Sequence, residues 1–388
     1  MNALSTLVNL PEAEKTARGL THTPAEIGQQ PDTWLATFDL FKARSAEIKS
    51  FLAAAGSSPT VFLVGAGTSD YVGQSLLFLL RKMWECDVAA IPSTDLLTHF
   101  DDLVDPRQKY LWVSFSRSGD SPEGVAVLQS ACRKRPDIHH LVVTCNANGQ
   151  MVREGAGKPQ VLSICLNDSV NDRGLAMTSS FSNMVVFGQC LAHANDGERF
   201  EQVLLRLIQS AKSFLPGAAD CAALLAGECY TKACFVGSGP LRAVATESAL
   251  KLLELTAGKV ITMSESALGL RHGPMAALDH DTLFVCFISG NPKVQQYERD
   301  LLDEIGKKRL VRNRVVVGAA DSSLNSSADH YLAPPVPFRE ADDYRPPLDV
   351  IFGQLLGLFF SLRLNLQPDC PSPNGAISRV VQNFSIHS

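Results

Sequence analysis

The chain has 388 residues, of which 45% are hydrophobic and 19% charged, and its formal net charge is −5. This composition is that of an ordinary folded protein and argues against a disordered or fibrous chain, while the length favours two domains. No Lys/Arg run is longer than Arg133-Lys134-Arg135 or Lys307-Lys308-Arg309. Since a nucleic-acid-binding domain usually carries a larger basic stripe, we expect no nucleic-acid partner.

Ten cysteines are scattered along the chain without a C-x-x-C pair, which does not indicate the disulfide framework of a small secreted domain. Residues Met1–Leu20 lack the basic and apolar regions of a signal peptide. The longest apolar stretch, around Leu355–Leu362, is too short to cross a bilayer. We therefore expect reduced thiols, a cytoplasmic location and no membrane partner.

Residues 1–44 form a predicted N-terminal arm and helix. Thr23-Pro24-Ala25-Glu26 has the pattern of a helix start, with Thr23 as the N-cap, Pro24 in the first turn and Glu26 closing a capping box. The apolar spacing that follows predicts one helix from about Asp32 to Ala55.

The rest of the chain alternates short apolar runs with helical patterns. Runs of this kind suit strands that are buried on both faces of a parallel sheet. They lie at Val61–Val64, Val88–Ile91, Leu111–Phe115, Leu141–Thr144, Ala233–Val236, Leu283–Ile288 and Arg314–Val317. Strand, turn and helix in repetition predict an α/β protein whose parallel sheets are covered by helices.

A glycine turn follows a predicted strand twice, at Gly65-Ala-Gly67 and at Gly237-Ser-Gly239. The two turns are 237 − 65 = 172 residues apart, which predicts two copies of one α/β unit. We place the first domain at 45–210, the second at 211–365 and a C-terminal tail at 366–388.

The segment Ser116-Arg-Ser-Gly-Asp-Ser121, here called the serine loop, follows the third predicted strand and precedes a helix. Ser121 suits the N-cap of that helix and Pro122 its first turn. Free N–H groups at a helix start favour an anion, and the hydroxyls of Ser116 and Ser118 add donors. The loop could therefore bind a phosphate monoester; a capped helix behind a serine-rich loop is the plainer alternative.

The first glycine turn, Gly65-Ala-Gly67-Thr68-Ser69, could instead begin the dinucleotide fingerprint G-x-G-x-x-G. Asp70 replaces the third glycine, and the second predicted strand ends at Ile91 without an acidic residue for the ribose. The pattern therefore disfavours a nicotinamide cofactor and favours a tight strand-to-helix turn.

Glu247, Lys251 and Glu254 are spaced i, i+4 and i+7 on the helix predicted after Gly239, so they share one face. An exposed face with ordinary ion pairs accounts for this spacing. A carboxylate general base held beside a lysine is the functional alternative.

His272 lies in Arg271-His-Gly-Pro274, where Gly273 and Pro274 force a turn. Histidine suits proton transfer near neutral pH, although a loop histidine is often structural. The other histidines have no partner at metal-ligand spacing, so we expect no metal.

Together, the serine loop, the first glycine turn and the Glu247–Glu254 helix with Arg271-His-Gly-Pro274 resemble the sugar isomerase (SIS) domain family. Two such units in tandem are similar to the isomerase half of glucosamine-6-phosphate synthase. Asp172–Ser180, Glu247–Gly258 and Pro371–Gln382 further resemble the AgaS group. The family implies two tandem SIS domains, each a flavodoxin-like three-layer sandwich.

The AgaS resemblance implies galactosamine-6-phosphate deaminase/isomerase activity without a metal or other cofactor. It implies that Glu254 shuttles a proton between C2 and C1, that Glu247 and Lys251 lie beside it, and that His272 of a neighbouring subunit opens the sugar ring. At least a homodimer is therefore expected. The residues implied to contact the sugar phosphate are Ser116, Arg117, Ser118, Ser121, Gly67, Thr68, Ser69, Thr178, Ser179 and Arg379.

Three other functions fit the same residues. One is a tagatose-6-phosphate ketose/aldose isomerase that releases no ammonia. Another is a deglycase that cleaves fructosamine 6-phosphates, and the third is a sugar-phosphate-binding SIS regulator without catalysis.

Overall fold

The computed structural model describes residues 1–318, 327–372, 374–381 and 385–387. The chain forms two compact units, named here after the sheets they contain. The first-sheet unit comprises Asp32–Asp172, Ser179–Gln202 and Ile377–Ser388. The second-sheet unit comprises Met1–Pro31, Arg173–Thr178 and Val203–Ala376. The domain limits expected near 45, 211 and 366 stay a prediction, and Pro373 and Gln382 of the expected tail pattern lie outside the described residues.

Helices make up most of the regular structure between the strands. In chain order they are α1 (Ala3–Val8), α2 (Glu12–Arg18), α3 (Thr23–Gly28), α4 (Gln30–Ala43), α5 (Ser45–Ala54), α6 (Thr68–Trp84), α7 (Ser93–Thr98), α8 (Phe100–Leu103), α9 (Pro122–Lys134), α10 (Gln150–Gly155), α11 (Ser179–Ala192), α12 (Gly197–Ala226), α13 (Pro240–Leu255), α14 (Pro292–Lys308) and α15 (Pro346–Arg363). Within the described residues, every helix is too short or too polar to span a bilayer.

The first-sheet unit is built on five parallel strands in the order β2-β1-β3-β4-β5. The strands are β1 (Thr60–Gly65), β2 (Val88–Pro92), β3 (Tyr110–Ser116), β4 (His139–Thr144) and β5 (Val161–Cys165). Phe62 and Val64 pack with Leu96 of α7 on one face, whereas Leu63 lies against Gly73 of α6 on the other. Helices thus cover both faces, which confirms the predicted three-layer arrangement.

The second-sheet unit repeats this topology with five parallel strands in the order β10-β9-β8-β6-β7. The strands are β6 (Lys232–Gly237), β7 (Ile261–Ser266), β8 (Thr282–Phe287), β9 (Arg314–Val317) and β10 (His330–Leu332). Matching β6–β10 with β1–β5 gives the same order in both sheets. Cys234 and Val236 of β6 pack with Leu301 and Ile305 of α14, and right-handed crossovers place α13 on the opposite face.

Two predictions for the N-terminal region are wrong. Helix α3 begins at Thr23 with His22 as its N-cap, and no capping box forms. Instead, the N–H and hydroxyl of Thr23 each donate to Asp369 at 2.8 Å, while Glu26 accepts backbone N–H groups of Arg173 and Gly174. The helix predicted from Asp32 to Ala55 is two helices, α4 and α5, which are interrupted at Arg44. Thr23 and Glu26 therefore bond to residues that are distant in the sequence instead of forming a capping box with each other.

The seven predicted strands are confirmed, but β5, β7 and β10 were not predicted. All three are edge strands in their sheets. An edge strand is only partly covered and need not be a continuous apolar run. In β7, for example, Thr262, Ser264 and Glu265 interrupt the apolar pattern, so this segment resembled a loop.

Candidate functional site

The serine loop joins β3 to α9, and its side chains fold back on its own backbone. Ser121 Oγ accepts the Gly124 N–H at 3.2 Å, which confirms the predicted N-cap. Ser116 Oγ accepts the Gly119 N–H at 3.0 Å, and Ser118 Oγ accepts the Asp120 N–H at 3.1 Å. These bonds use the lone pairs of the hydroxyls, so the O–H groups of Ser116 and Ser118 can be directed at an anion. The O–H of Ser121 donates to Glu123 Oε2 at 3.3 Å.

Residues after β4 hold the serine loop from outside. Asn146 Nδ2 donates to the carbonyl of Ser118 at 2.8 Å, and Gln150 N–H donates to Asp120 Oδ1 at 2.8 Å. Sequence reasoning did not identify Asn146 as part of the site. Its position directly after the strand that neighbours β3 was the available signal, because parallel strands end at one edge of a sheet.

The first glycine turn and the serine loop come together at this edge. Gly67 has φ 54° and ψ −127° and begins α6 with the buried Thr68 and Ser69. Ser69, Ser116 and Ser121 line one cavity of about 40 Å³. The structure thus groups serine side chains from the ends of two strands, and their contact with a substrate stays a prediction.

His140 also lines this cavity and is fully buried. Burial lowers the pKa of its imidazole to about 3, with a smaller contribution from His139. The ring is therefore neutral at physiological pH, and the cavity behind the serine loop contains no positive charge from this residue.

Arg117 of the serine loop contacts a second arginine, Arg379. Arg117 is buried and donates from Nη2 to the carbonyl of Arg379 at 2.7 Å. Arg379 donates from Nη2 to Asn171 Oδ1 at 2.6 Å and from Nε to the carbonyl of Asp172 at 2.9 Å. These bonds attach the C-terminal segment that contains Arg379 to Arg117, Asn171 and Asp172 within the first-sheet unit.

Thr178 and Ser179 are fully buried and belong to different units. Ser179 begins α11, and its N–H donates to Asp172 Oδ1 at 3.0 Å. In the second-sheet unit, the carbonyl of Thr178 accepts from Gln354 Nε2 at 3.4 Å. Their contact with a substrate stays a prediction.

The second-sheet unit contains the charged cluster of α13. Lys251 Nζ lies 2.6 Å from Glu254 Oε2 and 3.4 Å from Glu247 Oε1. The side chains of Glu247 and Lys251 are 0% and 1% exposed, whereas that of Glu254 is 23% exposed. Of the two carboxylates, Glu254 is therefore the one that can meet a bound molecule.

Helix α15 makes this burial possible by lying close against α13. A β-carbon on Gly353 would come within 2.1 Å of Ser248 Oγ, and one on Gly357 within 2.9 Å of the Lys251 carbonyl. The two glycines thus fix the position of the helix that carries the cluster. The alternative of a solvent-exposed face with ordinary ion pairs is wrong for Glu247 and Lys251.

His272 lies between two 3₁₀ turns, Gly269–Arg271 and Pro274–Ala277, and is exposed. The backbone N–H of His272 donates to the carbonyl of Gly269 at 2.9 Å. Among the described residues, no hydrogen bond joins its ring to Glu254. The structure therefore presents His272 on a turn, as predicted, without a hydrogen bond from its ring to Glu254.

The chain is similar to known proteins over nearly its whole length, although no protein-family model matches it. An AgaS protein of Streptomyces coelicolor is 37% identical over 371 residues, which are 95% of each chain. The D-galactosamine-6-phosphate deaminase AgaS of Escherichia coli O157:H7 is 32% identical over 95% of this chain and 96% of its own. The crystal structure of tagatose-6-phosphate ketose/aldose isomerase from Escherichia coli matches with a TM-score of 0.85 and 30% identity, covering 94% of this chain and 96% of the other.

Proposed function

Since the chain belongs to the AgaS family, we propose that it is an amino-sugar-phosphate deaminase and isomerase that converts galactosamine 6-phosphate and water to tagatose 6-phosphate and ammonia. The observation that carries the proposal is the α13 cluster, in which the partly exposed Glu254 is paired with the buried Lys251. A carboxylate that is accessible to a bound molecule can act as a general base.

The proposed reaction begins with the phosphate at the serine loop, where Ser116, Ser118 and Ser121 supply hydroxyl donors and Arg117 a positive charge. His272 helps to open the pyranose ring. Glu254 takes the C2 proton of the open aldehyde and returns it to C1, so that the C1 aldehyde becomes an alcohol and C2 becomes an iminium carbon. Water adds to C2 and ammonia leaves, which gives the 2-ketose phosphate without a metal or redox cofactor.

Ammonia release is the direct test. The purified protein would be incubated with galactosamine 6-phosphate and, separately, glucosamine 6-phosphate, and ammonia and ketose 6-phosphate would be measured. We expect both products from the galacto substrate and little from the gluco one. Absence of ammonia from both substrates would contradict the proposed deamination.

A second candidate is the isomerase reaction named for the Escherichia coli structure, which interconverts tagatose 6-phosphate and its aldose without releasing nitrogen. It uses the same proton transfer by Glu254 and differs only in the substituent at C2. Turnover of tagatose 6-phosphate without ammonia from either amino sugar would favour it.

The proposal includes a homodimer in the cytoplasm, with His272 supplied to the partner's site. The exposed turn that carries His272 supports this assignment, because the side chain is accessible to another molecule. Sedimentation should give a species of at least twice the 41.9 kDa chain mass. A 41.9 kDa species alone, with full activity, would contradict the shared site.

A further inference from the structure

The second sheet has a loop at the position that corresponds to the serine loop. β8 in its sheet and β3 in the first have the same place in the strand order, and Ser289-Gly290-Asn291 leads from β8 to α14. Asn291 caps α14 by accepting the Lys293 N–H, and Pro292 opens the helix. The backbone is therefore arranged like an anion-binding helix start.

Two carboxylates of the same unit accept the donors of this loop. The Ser289 N–H donates to Glu298 Oε2 at 2.7 Å, and the Gly290 N–H donates to Asp342 Oδ1 at 2.9 Å. Ser289 Oγ donates to Asp342 as well. Backbone N–H and hydroxyl groups are the donors that hold phosphate oxygens at helix starts, and here they hold carboxylate oxygens instead.

These carboxylates are fixed in place. Arg345, which is 3% exposed, donates to Asp342 Oδ1 at 2.8 Å and to Asp349 Oδ2 at 2.7 Å. Glu298 is fully buried, and this burial, with a smaller contribution from the Asp342 charge, raises its pKa to about 7. An additional anion would meet two carboxyl groups in a poorly solvated place, which is unfavourable.

We infer that Asp342 and Glu298 are built-in ligands that close the Ser289–Asn291 loop, so that this loop of the second sheet binds no external phosphate. The contrast with the serine loop, to which a phosphate is proposed to bind, depends on the proposed function. The closure of the Ser289–Asn291 loop does not, because it depends only on contacts within the second-sheet unit.

Anion rescue tests the closure. Asp342→Ala removes the acceptor of Ser289 Oγ, Gly290 N–H and Arg345 and leaves room for a small anion. We expect its Tm to lie below that of the wild type and to rise by about 2–4 °C with formate, relative to chloride of equal ionic strength. Wild type and Asp342→Asn, whose side chain still fills the site, should show no formate-specific rise. No formate-specific rise in Asp342→Ala would overturn the inference.

Crystals of the wild type soaked in inorganic phosphate give a second test that does not depend on the folding of a variant. We expect no phosphate at Ser289–Asn291, and a phosphate bound there would overturn the inference. A wild type with no phosphate at either loop would contradict the proposed role of the serine loop while supporting the closure.

Discussion

The two sheets share one strand order and one turn geometry, yet their strand-end loops have different chemistry. Gly67 has φ 54° and ψ −127° after β1, and Gly239 has φ 57° and ψ −128° after β6. A β-carbon on Gly65 or on Gly237 would come within 2.3 Å of the following helix start, at Ser69 or Leu241. The same backbone constraint therefore acts in both units.

The difference lies in the side chains that these backbones present. In the first-sheet unit, the loop after β3 combines serine hydroxyls with the buried Arg117, and its Asp120 accepts the Gln150 N–H. In the second-sheet unit, carboxylates occupy the loop after β8, and another charged cluster lies on α13 with its lysine 1% exposed. The repeated fold thus preserves turns and strand order, while the charged side chains that accompany the strands differ between the two sheets.

The largest expected effect separates proton transfer from phosphate binding. Glu254→Gln should lower kcat by about 10²–10⁴-fold, because the amide cannot accept the C2 proton, while phosphate binding is retained. Steady-state kinetics and a binding assay with galactosamine 6-phosphate would measure both. More than a tenth of the wild-type rate in this variant would rule out Glu254 as the base.

Glu340→Gln is a matched control for that variant. Glu340 is 31% exposed and pairs with Arg206 at 2.6 Å, compared with 23% exposure and 2.6 Å for Glu254 and Lys251. Glu340 has no role in the proposed reaction, so the rate of this variant should remain at the wild-type value. Equal losses in both variants would indicate a general effect of removing a paired carboxylate.

The next effect concerns the buried charges of the second-sheet unit. Lys251→Met should lower the free energy of unfolding by about 3–5 kcal/mol, because it leaves the fully buried Glu247 without its cation. Denaturant unfolding would measure this change. Lys232→Met removes a partly exposed pair with Asp279 and should cost at most about 1 kcal/mol. Similar decreases in the free energy of unfolding of the two variants would contradict the expectation that the buried ion pair contributes more to stability than the exposed one.

The features that the sequence predicted correctly depend on neighbours along the chain. The buried central strands, the glycine turns and the Ser121 cap each follow from a short pattern, and each pattern fixes its own backbone. Spacing also placed Glu247 and Glu254 on one face. It could not distinguish the buried carboxylate from the exposed one, because that difference depends on how closely α15 approaches.

The features that the sequence did not predict depend on distant partners. Asp342 reaches Ser289 across 53 residues, and Asn146 reaches Ser118 across 28. Thr23 bonds to Asp369 across 346 residues instead of forming the local cap. An acidic or amide side chain has the same local pattern whether it faces solvent or fills another loop, so only the tertiary structure reveals its partner.

The smallest expected effect tests the two loops directly. Ser116→Ala removes one hydroxyl donor from the serine loop and should raise KM by about 10–150-fold with little change in kcat, since a hydrogen bond to a charged group such as phosphate contributes about 1.5–3 kcal/mol to binding. Ser289→Ala makes the same change in the loop that Asp342 and Glu298 occupy, and its KM should equal the wild-type value while its stability falls. Steady-state kinetics with thermal unfolding would measure both variants. A raised KM in Ser289→Ala alone would reverse the assignment of phosphate binding between the two sheets.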